Sequence, residues 1–426
     1  MQEVSEDFLQ YVWKHSLYDN SNLHTTTGLP ITIIRGGTHN TDSGPDFFNA
    51  QLKIGETTWA GNIEIHRNAS DWYKHGHHTD KAYNNVVLQV VQTADAIVTL
   101  QNGEALATLV LPFDQQLFNN YQQLLSQDLW IHCANQIAKV DTITIDLTLN
   151  ALLVERLEDK IHYIRTCFER NNSSWEETFY QLLARNFGTP TNADPFELLA
   201  RSLPIKILGK HKSSLLQIEA LLFGQAGFLS DSACDDDYFQ SLKKEYDFLQ
   251  HKFALLPLEK HLWKFLRLRP SNFPTVRIAQ FAALIYNSSG LFSRVIETKE
   301  ITALTKLMEA KASAYWDTHY LFGVQAKPQA KRIGKSMTNT IIINTVIPIL
   351  FLYGTTRDAQ EFRNRAIDFL EALPSESNAI TKTWGEHGIA VKNASYSQAL
   401  IQLKKQYCDR DHCLRCRIGN KIIRSK

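Results

Sequence analysis

Asp46, preceded by Pro45, is followed eighteen residues later by Glu64, and Glu64-Ile65-His66 sets an imidazole two positions beyond the second acid. Two carboxylates on adjacent strands, with a backbone carbonyl, form a hard oxygen site suited to Mg²⁺ or Mn²⁺, with water completing the octahedron. Such an ion polarises a phosphodiester and lowers the pKa of a bound water. Because side chains alternate along a strand, Asn62, Glu64 and His66 share one face while Ile63 and Ile65 take the other, toward the core. An imidazole with its ordinary pKa of about 6.5 is mostly neutral at pH 7, so His66 can position or deprotonate a water but supplies no fixed positive charge. The opposing reading makes Asp46 a turn residue after Pro45 and leaves Glu64 facing solvent on an exposed sheet.

The elements that must position these groups are legible around them. Apolar Phe8, Leu9, Val12 and Trp13 predict a helix over Glu6 to His15, and Pro30 to Ile34 a short strand. Phe47 to Ile54 and Thr58 to His66 read as a hairpin turning at Gly55 and Glu56, with Ala50, Leu52 and Ile54 on one face. A polar stretch from Ser70 to Asn85 is expected to be helical, Val86 to Val91 to be a strand, and Ala96 to Leu100 with Leu106 to Leu111 to be a second hairpin around Asn102-Gly103. Near Pro112 this texture gives way to helical periodicity that runs to Gln406.

This element order and spacing resemble the PD-(D/E)XK phosphodiesterase superfamily, the restriction-endonuclease-like nucleases, over residues 3 to about 92. The resemblance implies a core of helix, three strands, helix and strand, in which Asp46 and Glu64 bind metal. His66 stands where that family places a Lys. An acid from the first helix often joins such sites, making Glu6 the first candidate and Glu3 the second. Gln89, polar in the middle of an apolar strand, fits the rim of the same site. Across Ser43 to His66, Ser70 to Val91, Arg269 to Gln280 and Tyr407 to Gly419, the chain also resembles an uncharacterised bacterial family, of Bacteroidetes type, of unknown function.

The stretch from Ser70 to Asp80 carries His75, His77 and His78. It approaches the HxHxDH pattern of metallo-β-lactamase-like hydrolases but has Thr79 where the Asp is needed and Asp80 where the last His is. A zinc hydrolase using His66, His75, His77 and Asp80 in another geometry is thus a runner-up. The plainer reading is a loop whose histidines contact phosphate or substrate.

At the other end, Cys408, Cys413 and Cys416 form a C-x4-C-x2-C run with His412 inside it. Cys133 or His412 could complete a zinc site. The distribution of one upstream and three terminal cysteines is also similar to that of superfamily nucleases that hold an iron–sulfur cluster, so zinc and [4Fe-4S] both stay open. Six cysteines in a long chain without an export signal point to a reducing, cytoplasmic compartment. Residues 404 to 426 hold eight Lys or Arg against two Asp, and Lys327, Lys331, Arg332 and Lys335 make a second basic cluster. From these, Lys331, Arg332, Lys335, Arg415 and Arg417 join the candidate phosphate contacts. The overall charge of +1 gives no bulk attraction for nucleic acid, so only local patches could supply it.

With 44% hydrophobic and 21% charged residues, the chain can bury cores without disulfides. Its longest apolar run, Ile341 to Gly354, is interrupted by Asn344, Thr345 and Pro348 and is too short to span a bilayer, so it reads as a buried helix. The expected architecture is a restriction-endonuclease-like α/β domain (residues 1–114), a large all-helical domain (115–403) and a basic Cys-rich metal knuckle (404–426). The expected activity is a Mg²⁺- or Mn²⁺-dependent nuclease acting on DNA rather than RNA. The alternatives are a non-catalytic nucleic-acid-binding or scaffold protein that keeps the fold, and the zinc hydrolase.

Overall fold

The computed structural model describes residues 3–230, 234–288 and 290–425. The chain forms two compact units: residues 1–149 with 403–426, and residues 150–402. The first unit is mixed α/β and the second mainly helical. The change in texture at Pro112 therefore marks the end of the sheet and not the end of a unit. The segment after residue 403, expected as a separate knuckle, folds into the first unit.

Helix α1 (Glu6–Lys14) opens the first unit, capped by the Ser5 hydroxyl, which accepts from the Phe8 amide. It buries Phe8, Leu9, Val12 and Trp13. Six strands follow: β1 (Ile31–Arg35), β2 (Thr38–His39), β3 (Phe47–Ile54), β4 (Thr57–Asn68), β5 (Val86–Thr93) and β6 (Thr108–Val110). The main sheet order is β1-β3-β4-β5-β6, with β2 paired to β3. β1, β3 and β4 run antiparallel, whereas β5 is parallel to β4 and β6 parallel to β5.

The central strands are covered on both faces, which is why Ile63, Glu64, Ile65 and His66 are buried in succession. Glu64 and His66 were expected to lie on a face opposite the core; both are instead inside, at 5% and 1% exposure. Trp72, Tyr83, Val86, Val91, Val98 and Leu106 form one apolar cluster in this unit. The expected helix over Ser70 to Asn85 is reduced to α2 (Asp71–Lys74) and a single turn at Lys81–Tyr83, because Gly76 takes a positive φ of 77°. The expected hairpin around Asn102-Gly103 keeps its tight turn, with a Thr99–Ala105 bridge, but only Thr108–Val110 extends as a strand. That strand takes β5 as its partner.

Helix α3 (Gln115–Leu125) and the last helix, Arg417–Ile423, pack together. The Asn120 side chain donates to the Ile423 carbonyl at 3.0 Å, and Arg424 donates to the Tyr11 hydroxyl at 3.2 Å. Ile418, Ile422 and Ile423 are buried.

In the second unit the helices surround large buried side chains, among them Phe187, Phe196, Phe223, Phe281, Trp316 and Trp384. A small ribbon of His319–Leu321 with Val324–Gln325 interrupts the helices. Among the described residues, one helix, Lys335–Thr356, is long and apolar enough to cross a membrane by length and composition. With 78% of its apolar window buried inside the protein, it is a core helix, as the sequence pattern suggests.

Ile423→Ala should lower the unfolding free energy by about 2–4 kcal/mol in urea denaturation, since a fully buried aliphatic side chain is truncated. A loss under about 0.5 kcal/mol, the range of surface substitutions, would mean that the terminal helix is not part of the first unit's core.

Candidate functional site

Two irregularities of the sheet bring the acids together. The β3–β4 register slips between Phe47–Ile63 and Ala50–Gly61, a bulge at which Asn49 adopts a positive φ of 57°. The bulge switches the buried parity of β3 from Phe47 to Ala50, Leu52 and Ile54 and turns the entry of the strand toward β4. A second slip, between Asn62 and Ile63, lets β5 cross close to Gly61, where a Cβ would meet the Asn85 carbonyl at 2.5 Å.

Asp46 and Glu64 are consequently interlocked. The Asp46 amide donates to Glu64 Oε2 at 3.1 Å, and the Ile65 amide donates to Asp46 Oδ2 at 2.9 Å. Gln10 Nε2 donates to the other Asp46 oxygen at 2.8 Å. Burial, and then the charge of Glu64, push the Asp46 carboxyl up to about 7. Burial, with a smaller push from Glu6, raises Glu64 to about 8. Among the described residues, no Lys or Arg is a main influence on either acid. Two carboxylates are thus held side by side with no internal counter-ion, and a divalent cation would supply one.

The imidazoles of His66, His75 and His77 converge beside the acids, with ligand nitrogens all within 4.8 Å of one another. Glu64 Oε1 lies 3.3 Å from His77 Nε2 and 3.6 Å from His66 Nε2. Both nitrogens are buried and lack a hydrogen-bond partner. His77 also stacks on Tyr83, ring centroids 3.8 Å apart. Burial, and then His77 and His75, lower the His66 pKa to about 3, so this side chain is neutral.

Its tautomer follows from Gln89, which is fully buried on β5 opposite Glu64. Gln89 Nε2 donates to the Ala69 carbonyl at 3.2 Å, a group that can only accept, and this fixes which end of the amide faces His66. The same nitrogen lies 3.0 Å from His66 Nδ1, which must accept. The proton of neutral His66 therefore sits on Nε2, facing Glu64. In this state His66 is a hydrogen-bond donor to whatever occupies the site and not a base through Nε2.

The other candidates divide. Glu6 accepts from the Arg67 amide at 3.3 Å and acts on both acids, whereas Glu3 pairs with the Arg67 guanidinium. His78 packs on Tyr73 outside the imidazole group, and Asp80 caps the turn at Lys81–Tyr83 by accepting from the Ala82 amide. Asp80 is not among the three residues whose ligand atoms converge. Arg415 lines a cleft together with Lys14, His39 and Gln10, the residue bonded to Asp46, while Arg417 is exposed at the start of its helix. Lys331, Arg332 and Lys335 belong to the second unit. Lys331 is buried, donating to the Gln329 carbonyl at 2.9 Å over the Tyr320 ring, and so serves local structure first. Gln10 escaped the sequence reading, although its place four residues after Glu6 and four before Lys14 puts it on the polar stripe of the helix.

Cys133, Cys408, Cys413 and Cys416 line one small apolar cavity in the first unit. Burial pushes the Cys133 and Cys413 thiols up to about 12 and raises those of Cys408 and Cys416. The Cys416 sulfur accepts from the Gly419 and Ile418 amides. A Cβ on Gly419 would meet the Cys413 carbonyl at 2.3 Å, so only glycine fits there. His412 also borders the cavity, but its Nδ1 is 3.1 Å from the Gln406 carbonyl.

A mixed α/β chain with a buried acid and histidine centre and a second helical unit is the class these features define. A family model described as a protein of unknown function, DUF2851, matches residues 6–379, and the chain belongs to that family. No curated protein and no solved structure matches the chain.

The raised acids carry a stability consequence. Folded Asp46 and Glu64 retain protons that the unfolded chain has lost, so stability falls as pH rises. The buried imidazoles act in the opposite sense, but only below about pH 6.5, where unfolded histidines charge. Between about pH 6.5 and 8, metal-free protein should lose stability in urea denaturation with chelator present. Glu64→Gln should flatten that loss, and Mg²⁺ or Mn²⁺ should restore the wild type. An identical pH slope in Glu64→Gln would mean that folded Glu64 is already ionised at the lower pH.

Proposed function

We propose that this chain is a metal-dependent phosphodiesterase with a restriction-endonuclease-like core, acting on DNA. The observation that carries this reading is the interlocked, buried pair Asp46 and Glu64 with no cation beside it. Mg²⁺ or Mn²⁺ bound by these carboxylates would polarise the phosphate and acidify a water. Glu6 stands close enough to add charge to the ligand set, and Gln10 orients Asp46. His66 Nε2–H donates to the attacking water or a phosphate oxygen, the task a Lys would otherwise perform, with Gln89 holding the ring in the required tautomer. Arg415 and Lys14 offer phosphate contacts in a cleft whose wall also carries Asp7 and Asp411.

Purified protein incubated with single- and double-stranded DNA and RNA in Mg²⁺ or Mn²⁺ should cleave DNA. Asp46→Asn and Glu64→Gln should each lower the rate by about a thousandfold, the equivalent of several kcal/mol of metal-borne stabilisation. Undiminished cleavage in either variant overturns the assigned centre. Absence of cleavage with every substrate and metal leaves a non-catalytic nucleic-acid-binding or scaffold role.

The convergence of His66, His75 and His77 favours one second reading, a zinc hydrolase. Binding zinc through His66 Nε2 would require Gln89 to reverse its amide against the Ala69 carbonyl, and for that reason this reading ranks below the first. Activity with Zn²⁺ alone would reverse the order.

We further propose that Cys133, Cys408, Cys413 and Cys416 hold an iron–sulfur cluster. The four cysteines line one small apolar cavity, and one upstream cysteine with three in a terminal C-x4-C-x2-C run is the distribution that resembles cluster-bearing nucleases. Anaerobically purified protein should contain iron and sulfide with a visible absorbance that bleaches on reduction, and Cys133→Ser should lose it. About one zinc per chain and no iron would overturn the assignment.

A further inference from the structure

The helical unit contains a cavity of about 760 Å³, within the size range of small-molecule sites. Its lining includes Arg185, Arg277, Lys331 and Arg332 but no Asp or Glu, and no aromatic ring. Two of these cations are already satisfied: Arg185 by Asp194 and Glu197, and Lys331 by backbone carbonyls and the Tyr320 face. Arg277 is not.

Arg277 is 8% exposed on the helix Pro274–Asn287, and among the described residues its guanidinium meets only neutral acceptors, Gln280 at 2.9 Å and Asn272 at 2.6 Å. Its Nε–H is buried without any partner. Burial lowers its pKa to about 10, and no carboxylate opposes that shift. A buried charge is ordinarily paired, so this one is held ready for an anion from outside. The site around it is rigid, because Gln280 accepts from Arg277 while its Nε2 donates to the Arg332 carbonyl at 3.1 Å.

Two further features point to an oxyanion. Gly334, Ser336 and Met337 place the first turn of the Lys335–Thr356 helix on the cavity wall, and no side chain caps that helix. Its free amides and dipole favour negative charge. Arg332, exposed at the same wall, adds a planar donor fork that matches phosphate geometry. The remaining walls offer amides and hydroxyls, including Asn186, Ser271 and Thr340, which suit a hydroxyl-rich body, while the missing aromatic rings leave nothing on which a base could stack.

We propose that this cavity binds a phosphorylated sugar, with Arg277, Arg332 and the helix start at Gly334 holding the phosphate. The sugar phosphate could be a free metabolite or the 5′-phosphorylated end of a nucleic acid strand. The proposal does not rest on the phosphodiesterase reading.

Calorimetric titration of the full-length protein, with chelator present to silence hydrolysis at the acid pair, compares ribose 5-phosphate, ribose, and a short oligonucleotide with and without a 5′-phosphate. Saturable binding that requires the phosphate is expected. Binding of ribose 5-phosphate identifies a free metabolite, and binding of the 5′-phosphorylated oligonucleotide alone identifies a strand end; each supports the site. Arg277→Gln and Arg332→Gln should each weaken binding by about tenfold or more, the usual effect of losing a charged hydrogen bond. Because Arg277→Gln alters a buried residue, Ser336→Asp serves as the third variant. It sets a carboxylate in an exposed first turn that tolerates negative charge, so folding is kept while phosphate is repelled. Failure of every phosphate probe to bind, ribose binding as tightly as its phosphate, or affinity unchanged in both Arg332→Gln and Ser336→Asp would overturn the proposal.

Discussion

Burying Asp46 beside Glu64 is unfavourable on its own, because each carboxylate loses water and each repels the other. The first unit offsets that cost locally: each acid accepts an amide from the other's strand, and Gln10 reaches across from α1 to the remaining Asp46 oxygen. These bonds require the bulge at Asn49, which requires β4 to stay central, which in turn requires β5 to approach over Gly61. The acids cannot be moved to solvent without changing sheet register, since a one-residue slip would send the apolar set outward. The geometry of the sheet and the electrostatics of the pair are therefore one constraint.

Where local pattern and tertiary pairing agree, the sequence was readable. Strand Phe47–Ile54 falls on its predicted bounds, and Asp46 meets Glu64 as the spacing suggested, because alternation and a two-residue turn are local properties. Gln89 stood out for the same reason, as an amide in an apolar strand. Ser70 to Asn85 misled because polar residues at helical spacing carry no information about Gly76, whose positive φ breaks the helix. The second hairpin survives only around its turn, at the Thr99–Ala105 bridge, because Thr108–Val110 pairs in parallel with β5 instead of with the hairpin's first arm. The chain pattern also separated residues 404 to 426 from the first unit, although their buried isoleucines are what tie them to it.

The helical unit illustrates a limit of another kind. Arg277 sits in an apolar helix and would read from sequence as an ordinary surface position that the period happens to place inward. Its meaning depends on what is missing around it, and an absent carboxylate has no local signature. Lys331, Arg332 and Lys335 were noticed as charges in a row, yet the fold gives them separate duties, one buried on carbonyls and two exposed.

The presence of an imidazole at position 66, two residues after Glu64, bears directly on how the acid pair behaves. An ammonium placed two residues after Glu64 would neutralise part of the pocket's charge. The imidazole does not, because burial and its histidine neighbours hold it neutral. Gln89 then removes its freedom to accept through Nε2 by occupying Nδ1 as a donor. With no cation built in, both carboxylates ionise together near neutral pH only when a cation arrives. On the proposed metal-dependent reading, charge balance at this pair would fall to the bound cation, and such a site would be more sensitive to metal supply than one that carries its own lysine.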